Sequence, residues 1–422
     1  MSNTINTHVL IIGYVWPEPR SSAAGSHMMA LIRCFQQQGW QVTFASPAVL
    51  SPHMEDLDAC GVKTVAIELN NSSFDTYIKT LNPDIVLFDR FMMEEQFGWR
   101  VEQQCPDALR LLDTEDLHCL RHARHNALKQ QRALCPEDLF SEMAQREVAA
   151  IFRSDLTLMI SDYETQLLTE QFSVKPELLH HLPFMLDSHL IESTPLPYED
   201  RACFISIGNF RHAPNWDAVL WLKQQVWPLI RKQLPKAELH IYGAYPPPKA
   251  TALHNAKDGF FVMGWAEDAN AVMRSARVCL APLRFGAGIK GKLVDAMLNG
   301  TPNVTTPIGA EAMSGGLDWP GLIEQDAESL ACAAVRLYTN QTLWQQAQQQ
   351  GFKVIRAVYD QEPLAQGLIE RINTVRENLD QHRLQNFTGA MLRHHHHRST
   401  RFMSQWIEAK TRLANLQQNQ PD

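Results

Sequence analysis

The sequence predicts an α/β protein made of two doubly wound, Rossmann-like domains that face a cleft, followed by a helical C-terminal tail. Three observations support this prediction. Short apolar runs alternate with longer amphipathic stretches as far as about residue 355, and a proline-containing linker divides this series in two. The 422 residues are also too many for one ordinary hydrophobic core. Near-continuous apolar strands between helices are typical of parallel sheets covered on both faces.

The first domain is predicted to span residues 1–192. Its predicted strands are His8–Tyr14, Gln41–Ala45, Val62–Ile67, Ile85–Phe88, Leu109–Leu112 and Leu156–Ile160. The first of these runs lacks the basic start and small-residue cleavage site of a signal peptide, so we interpret it as a buried strand. The linker to the second domain is predicted at Ser193–Arg201.

The second domain is predicted to span residues 201–355. Its predicted strands are Phe204–Ile207, Leu239–Tyr242, Phe260–Met263, Val278–Ala281 and Asn303–Thr305. Its first helix is expected to begin near Asn215 and to bury Val219, Leu222 and Val226. Pro228 should kink or stop that helix, because proline lacks an amide donor and clashes with the preceding turn.

The tail, residues 356–422, is polar and predicted to be helical. It contains His394–His397, but consecutive side chains on a helix do not converge on one ion, so the pattern does not favour a metal site. Two alternatives stay open: a helical cap across the first domain, or a segment for self-association. Phe402, Trp406 and Ile407 are expected to pack against protein rather than face a membrane, because the stretch mixes both charge signs.

Composition excludes some functions. The chain has 38 basic and 46 acidic residues, a net charge of −8, which disfavours general nucleic-acid binding. No apolar run approaches the ~18 residues of a transmembrane helix. The eight cysteines contain no Cys-x-x-Cys pair, which favours reduced, buried thiols and a cytoplasmic location, with peripheral membrane association as an option.

The stretch 281–302 is the most informative. A strand runs into a glycine-rich turn and then a helix, and Gly286 and Gly288 permit close backbone approach. The free amides at a helix start bind anions. Three cations lie in the same stretch: Arg284, Lys290 and Lys292. These features predict a diphosphate site, and the alternative is a tight turn with solvated lysines.

This stretch resembles the donor-binding region of GT-B glycosyltransferases, particularly the retaining family 4, or glycosyl transferases group 1. Three more blocks resemble that family in order and spacing: Phe204–Asp217, Gly264–Asp268 and Val304–Glu311. The N-terminal stretch His8–Ala45, with its loop Ser22-Ala-Ala-Gly25, is also similar. The resemblance covers roughly residues 8–355 and does not extend to the tail.

The resemblance implies a nucleotide-sugar bound mainly to the second domain. The residues it implicates in binding are Gly25, Asn209, Arg211, Trp265, Gly288, Lys292, Asp295 and Glu311. Asn209 and Arg211 would approach the diphosphate from the side opposite the glycine-rich turn. Glu311 would contact the sugar, or cap its own loop. The family often has two glutamates where this chain has Ala287 and Asp295; the aspartate still accepts hydrogen bonds from a ribose.

The first domain supplies a polar loop at the end of a predicted strand, Asp113-Thr-Glu-Asp-Leu-His118. Such groups point toward the cleft of a parallel sheet. Related enzymes use a histidine in a comparable loop, which selects His118, with Asp116 beside it. A helix N-cap is the alternative role for Asp116. Asp89–Arg90 is a further candidate. The catalytic candidates are His118, Asp116, Arg284 and Lys290.

We therefore expect a glycosyltransferase that moves a sugar from a nucleotide-sugar to a saccharide, lipid-linked or protein acceptor. The resemblance implies retention of anomeric configuration. Cofactor and metal are expected to be dispensable, because the cations of the turn can stabilise the leaving diphosphate. The alternatives are a nucleotide-sugar epimerase and a catalytically silent nucleotide-sugar-binding or scaffold subunit.

Overall fold

A computed structural model describes residues 7–191 and 195–418; the first two residues of the predicted linker lie outside these ranges. The first domain contains a seven-stranded parallel sheet in the order β3-β2-β1-β4-β5-β6-β7. Its strands are β1 His8–Ile12, β2 Gln41–Ser46, β3 Lys63–Ala66, β4 Ile85–Asp89, β5 Leu109–Asp113, β6 Leu156–Met159 and β7 Leu179–His181. Its helices are α1 Ala23–Gln37, α2 Ser73–Leu81, α3 Phe91–Gln104, α4 His118–Lys129, α5 Glu142–Arg153 and α6 Asp162–Phe172.

The second domain contains a six-stranded parallel sheet in the order β10-β9-β8-β11-β12-β13. Its strands are β8 Ala202–Ile207, β9 Leu239–Tyr242, β10 Phe260–Gly264, β11 Ala276–Ala281, β12 Asn303–Thr305 and β13 Gly321–Ile323. Its helices are α7 Ala213–Trp221, α8 Trp227–Gln233, α9 Pro248–Thr251, α10 Ala269–Ser275, α11 Gly291–Leu298, α12 Pro307–Ala310, α13 Ala327–Thr339 and α14 Gln341–Val358.

The strand order reverses direction at the centre of each sheet. Val9 of β1 pairs with Ile85 of β4, and Phe204 of β8 pairs with Val278 of β11. Helices cover both faces, so the central strands are buried on both sides; Val9 to Ile12 have no exposed surface. The predicted doubly wound α/β class is confirmed, and each reversal creates a crevice at the carboxyl ends of the strands where ligands bind.

The first helix of the second domain does not end at Pro228. Val219, Leu222 and Val226 are buried as predicted. A π-helical segment, Leu222–Val226, joins α7 to α8, and Pro228 lies in the first turn of α8. A proline is tolerated there because the widened turn removes the usual demand for its missing amide donor.

The chain returns to the first domain after α14. The tail helices are α15 Gln361–Glu377, α16 Leu379–Gln385, α17 Phe387–Leu392 and α18 Arg398–Gln418. Leu368 and Ile372 of α15 are buried in the first-domain core. At the crossing, the amide of Leu186 donates to the carbonyl of Tyr359 at 2.8 Å, and that of Gln361 donates to the carbonyl of Leu186 at 2.9 Å. Two neighbouring chain crossings therefore connect the domains.

Charged groups fasten the tail to the first domain. The Arg383 guanidinium lies 2.9 and 2.8 Å from the two carboxylate oxygens of Asp155 and also donates to the carbonyls of Pro106 and Ala108. In the π-helical segment Arg393–His397, the His397 ring contacts Glu102. The histidine run therefore packs in part against the first domain.

Two composition-based expectations can now be compared with the structure. Cys34, Cys105, Cys119 and Cys279 are buried, but Cys60, Cys135 and Cys332 are exposed, so the expectation of buried thiols is wrong for the latter three. Within residues 7–191 and 195–418, no helix is both long and apolar enough to cross a membrane.

We expect Arg383→Met to lower the free energy of unfolding by about 2–3 kcal/mol, because the buried Asp155 carboxylate loses its best-placed hydrogen-bond donors. Chemical denaturation followed by circular dichroism measures this change. Arg356→Met, at an exposed position on α14, is the control and should change stability by less than about 0.5 kcal/mol. Equal effects of the two substitutions would contradict the anchoring role of Arg383.

Candidate active site

The carboxyl ends of the two sheets border a cleft of about 750 Å³. Its walls come from the loops after β1, β4 and β5 on one side, and from the loops after β8 and β11 and the start of α11 on the other. The sequence-predicted residues that line it are Gly25, Asp116, His118, Asn209, Arg211, Trp265, Lys290, Lys292 and Asp295. Arg284, Gly288 and Glu311 do not.

Gly288 lies where the glycine-rich turn touches the first domain. Its φ of +61° is left-handed, and a Cβ there would come within 2.7 Å of the Asp116 Cβ. Its amide donates to Glu164 Oε1 at 2.7 Å. The position requires glycine for both its conformation and its close approach. The Gly288 amide, predicted to bind a diphosphate, therefore has a protein partner in this structure.

Arg284, a predicted catalytic residue, also has a protein partner in this structure. Its Nε donates to Asp217 Oδ2 at 2.8 Å, and a second guanidinium nitrogen contacts the other carboxylate oxygen. The guanidinium lies 5.4 Å from the Trp221 ring centre. This two-pronged ion pair directs the side chain away from the cleft, because a carboxylate matches the geometry of a guanidinium.

Glu311 forms a similar pair across the domain boundary. Arg124 on α4 donates to its two carboxylate oxygens at 2.8 and 2.7 Å and to the carbonyl of Gly286 at 2.9 Å. The sugar contact predicted for Glu311 is therefore not what this structure shows. Instead, its carboxylate joins the second domain to α4.

Two lysines stand on the second-domain wall, Lys290 buried and Lys292 half-buried. Lys290 donates through Nζ to the carbonyl of Gly288, and Lys292 to Oδ1 of Asn215, each at 2.7 Å. Burial lowers the pKa of each ammonium group to about 8. Both cations currently contact neutral oxygens, so an incoming anion would meet two poorly solvated positive charges at the start of α11.

The remaining second-domain residues form the side and floor of this wall. Asn209 Oδ1 accepts the amide of Arg211 at 2.9 Å, and the Arg211 guanidinium lies 3.6 Å from the Tyr245 ring centre. Trp265 stacks on His53 of the first domain with ring centres 4.7 Å apart. Burial raises the pKa of Asp295 to about 7, although Lys292 opposes the shift.

The first-domain wall contains the predicted pair His118 and Asp116. Burial lowers the pKa of His118 to about 4, so its ring is neutral near pH 7. Asp116 is half-buried, which would raise its pKa, yet the Arg121 guanidinium that it contacts holds that pKa at about 2. His118 Nε2 lies 3.7 Å from Asp116 Oδ1. This wall therefore presents a neutral imidazole beside a carboxylate. Gly25, in the first turn of α1, also lines it and donates its amide to the Ser22 hydroxyl at 3.0 Å.

A buried acidic cluster lies beside that pair, at the ends of β4 and β5. It consists of Asp89, Asp113 and Glu115 around His27, whose Nε2 is 3.7 Å from Asp113 Oδ2. Burial alone would lower the pKa of His27, but the surrounding carboxylates raise it to about 9. Burial and Asp113 raise the pKa of Glu115 to about 8. His27, Asp89 and Glu115 line the cleft.

Sequence reasoning missed His27, the centre of this cluster. His27 lies on α1 next to apolar neighbours, where the pattern predicts a core residue. Asp89 was a candidate, and Asp113 and Glu115 belong to the polar loop predicted to point toward the cleft. Arg90 and Glu115 both have left-handed backbones, with φ values of 69° and 60°. Such strained non-glycine positions often lie at functional sites, but they become visible only in the structure.

Residues 201–340 match the family described as "Glycosyl transferases group 1". A sequence comparison with curated proteins gives no match. The family match confirms the predicted resemblance over residues 201–340 and supports the predicted enzyme class.

Solved structures with the same fold cover nearly the whole chain. Sucrose-phosphate synthase from Thermosynechococcus elongatus is similar with a TM-score of 0.66 and 17% identity, over 87% of this chain and 99% of that one. HepE from Anabaena, described in complex with UDP and glucose, is similar with a TM-score of 0.65 and 13% identity, over 86% of this chain and 99% of that one. A glycosyltransferase from Rickettsia africae is similar with a TM-score of 0.65 and 11% identity, over 89% of this chain and 100% of that one. These likenesses confirm the predicted GT-B fold.

We expect Gly288→Ala to open the cleft. The added methyl group would collide with Asp116, and the alanine would have to adopt a left-handed backbone conformation. Together these effects cost about 1–2 kcal/mol, and separation of the two domains relieves the collision. Small-angle X-ray scattering should show a larger radius of gyration. Gly367→Ala, where a Cβ meets nothing within 4 Å, is the control. Identical scattering curves for all three proteins would exclude this role for Gly288.

Proposed function

We propose that the protein, whose residues 201–340 match the glycosyl transferases group 1, transfers a sugar from a nucleotide-sugar to an acceptor hydroxyl. The observation that carries the proposal is the pair of lysines on the cleft wall at the start of α11, of which Lys290 is buried and Lys292 half-buried. A diphosphate is a ligand that matches two cations at a helix N-terminus.

The diphosphate of the donor would replace the neutral oxygens that now accept from these lysines. Charge-assisted hydrogen bonds to phosphate are stronger than those to the Gly288 carbonyl or the Asn215 amide oxygen. The amides of Gly291 and Lys292, at the start of the helix, add further donors. We assign the ribose hydroxyls to Asp295 and the base to the region of Trp265, both of which line the same wall.

The proposed reaction breaks the bond between the anomeric carbon and the donor phosphate oxygen. Negative charge then develops on the diphosphate, and Lys290 and Lys292 stabilise it more in the transition state than in the bound donor. The acceptor oxygen bonds to the anomeric carbon on the same face, and its proton passes to the departing phosphate oxygen. This route retains anomeric configuration, as the resemblance to retaining enzymes suggests.

His118 would orient the donor sugar or the acceptor through a hydrogen bond rather than donate a proton. Its lowered pKa keeps it neutral, which suits a positioning group. The neighbouring cluster of Asp89 and Glu115 would receive acceptor hydroxyls, because Asp89 Oδ1 is buried without a hydrogen-bond partner among the described residues. Saccharide, lipid-linked and protein acceptors all supply such hydroxyls.

Within the described residues, no group of three or more His, Cys, Asp or Glu side chains could hold a metal ion. We propose that the two lysines stabilise the leaving group and that the reaction needs neither a metal nor a cofactor. Turnover that survives extensive treatment with a chelator is the expected result.

The first test is a panel of nucleotide-sugars, beginning with uridine diphosphate donors because HepE is described with UDP. We expect sugar transfer or slow donor hydrolysis. Lys292→Met should reduce the rate by about 100-fold or more, as loss of a transition-state cation does. Arg284→Ala should have a much smaller effect because Asp217 already binds that guanidinium.

Lys353→Met, at an exposed position on α14, is the matched control and should leave activity unchanged. Binding of a nucleotide-sugar without turnover of any donor would favour a scaffold subunit. Conversion of the free donor into a stereoisomer would favour an epimerase. Either result would refute the proposed transfer reaction.

The affinity for uridine diphosphate should fall as pH rises. If both lysines are charged in the complex, a pKa of about 8 in the free protein predicts a loss of about tenfold per lysine between about pH 7 and about pH 9. Asp295 and Glu164 lose protons in the same window, since burial raises their pKa values to about 7 and about 8, and they add repulsion.

Isothermal titration calorimetry across this range measures the slope. Lys292→Met should bind more weakly at pH 7 but show a shallower pH dependence, because one titrating cation is gone. An affinity that is constant or rises with pH would contradict the assignment of these lysines to the diphosphate.

A further inference from the structure

Helix α18 packs against the first domain through its polar face. Ser404 is buried and accepts a hydrogen bond from Arg100 at 3.0 Å. The Glu408 carboxylate accepts one from the Ser72 hydroxyl at 2.6 Å. Amphipathic helices of globular proteins normally bury their apolar face, so the orientation of α18 is inverted.

The opposite face of α18 is apolar and exposed. Its large side chains have exposed fractions of 64% for Phe402, 59% for Trp406, 58% for Leu413 and 66% for Leu416. At 3.6 residues per turn, these four positions lie within about 80° of one another around the helix axis and extend over about 21 Å. This corrects the expectation that Phe402 and Trp406 pack against protein; Ile407 is partly buried.

Positive charge flanks this apolar stripe. Arg398, Arg401, Lys410 and Arg412 are all exposed on α18. Its one acidic residue, Glu408, is bonded to Ser72 and forms an ion pair with Arg412 at 2.7 Å, which leaves the other three cations in excess. The helix thus carries four basic groups against one acidic group in a chain whose net charge is −8. The basic residues are concentrated where the apolar residues are.

We propose that α18 binds the surface of a membrane that contains anionic lipids. Phe402 and Trp406 would enter the boundary between headgroups and acyl chains, and the arginines would contact the lipid phosphates. Tryptophan suits that boundary because its ring is apolar and its N–H is polar. The helix lies along the membrane plane in this arrangement and does not span it.

Charge argues against a second copy of the chain as the occupant. A symmetric pair of α18 helices would place the exposed Arg398 and Arg401 of one copy near the basic residues of the other. Like charges brought together out of water are destabilising. An anionic lipid surface satisfies the apolar stripe and its basic flank together.

The proposal goes beyond sugar transfer and states where the enzyme works. Because α18 is fixed to the first domain through Arg100 and Ser72, membrane binding would hold that domain at the lipid surface. The acidic cluster of Asp89 and Glu115, proposed above for acceptor hydroxyls, belongs to the same domain. Lipid-linked acceptors are therefore favoured over soluble ones.

Flotation of the full chain with phosphatidylcholine vesicles that contain about 30% phosphatidylglycerol tests the proposal. We expect binding to these vesicles, little binding to pure phosphatidylcholine, and weaker binding at high salt. Phe402→Ser combined with Trp406→Ser should reduce partitioning by about tenfold or more, and so should Arg398→Glu combined with Arg401→Glu. These exposed positions allow substitution without loss of the fold.

Matched controls separate this surface from general stickiness. Val49→Ser with Leu50→Ser removes two other exposed apolar side chains, and Lys232→Glu with Lys236→Glu reverses two exposed charges of the second domain. Both should float like the unmodified protein. Donor hydrolysis without vesicles should be unchanged in all variants, which keeps this test independent of the proposed reaction.

Three results would overturn the proposal. One is absence of binding to anionic vesicles, and another is undiminished binding of the Phe402 and Trp406 variant. The third is a dimer in solution that the same variant converts to a monomer, which would show that a second copy covers the stripe. Analytical ultracentrifugation supplies that measurement.

Discussion

The contact of the glycine-rich turn with the first domain determines much of the remaining arrangement. At Gly288 the turn lies against Asp116, and the Gly288 amide donates a hydrogen bond to the Glu164 carboxylate. The same turn leads into Lys290 and α11, so the position of the two lysines depends on this contact. Arg124, paired with Glu311 and bonded to the carbonyl of Gly286, supports the turn from its other side. The two lysines proposed to stabilise the leaving group and the domain contacts thus share one short segment.

Electrostatics explains why so many charges are tolerated at this boundary. Buried carboxylates such as Glu164 lie near buried cations such as Lys290, and each reduces the cost of burying the other. The compensation is incomplete, because burial still shifts the pKa of both groups toward neutral pH. A cleft of this kind is prepared for a ligand that brings its own negative charge, such as a diphosphate.

The sequence predicted the sheets well because buried parallel strands are nearly continuous apolar runs. β7 and β13 were missed because each is a three-residue strand at the edge of its sheet, and Leu179–His181 contains two histidines. The positions of Lys290 and Lys292 followed from local turn and helix patterns. The ion pairs of Arg284 with Asp217 and of Glu311 with Arg124 were not predicted, because the partners lie far apart in sequence and no local pattern reveals a distant ion pair. The tail's apolar stripe was recognised, but periodicity does not show which face of a helix is buried.

The two chain crossings give the cleft a particular kind of freedom. The segment at Leu186 and the segment at Tyr359–Gln361 are hydrogen-bonded to each other, so both covalent connections pass through one place. The two connections act together as a single hinge, the pin of the domain motion. The domains can rotate about this hinge, whereas sliding of one domain along the other is opposed. Displacement grows with distance from the pin, so a small turn there moves atoms at the far rim much more than atoms beside it. Such a rotation would release a bound molecule. The rate of release would depend on the contacts between the domains that lie farthest from the pin.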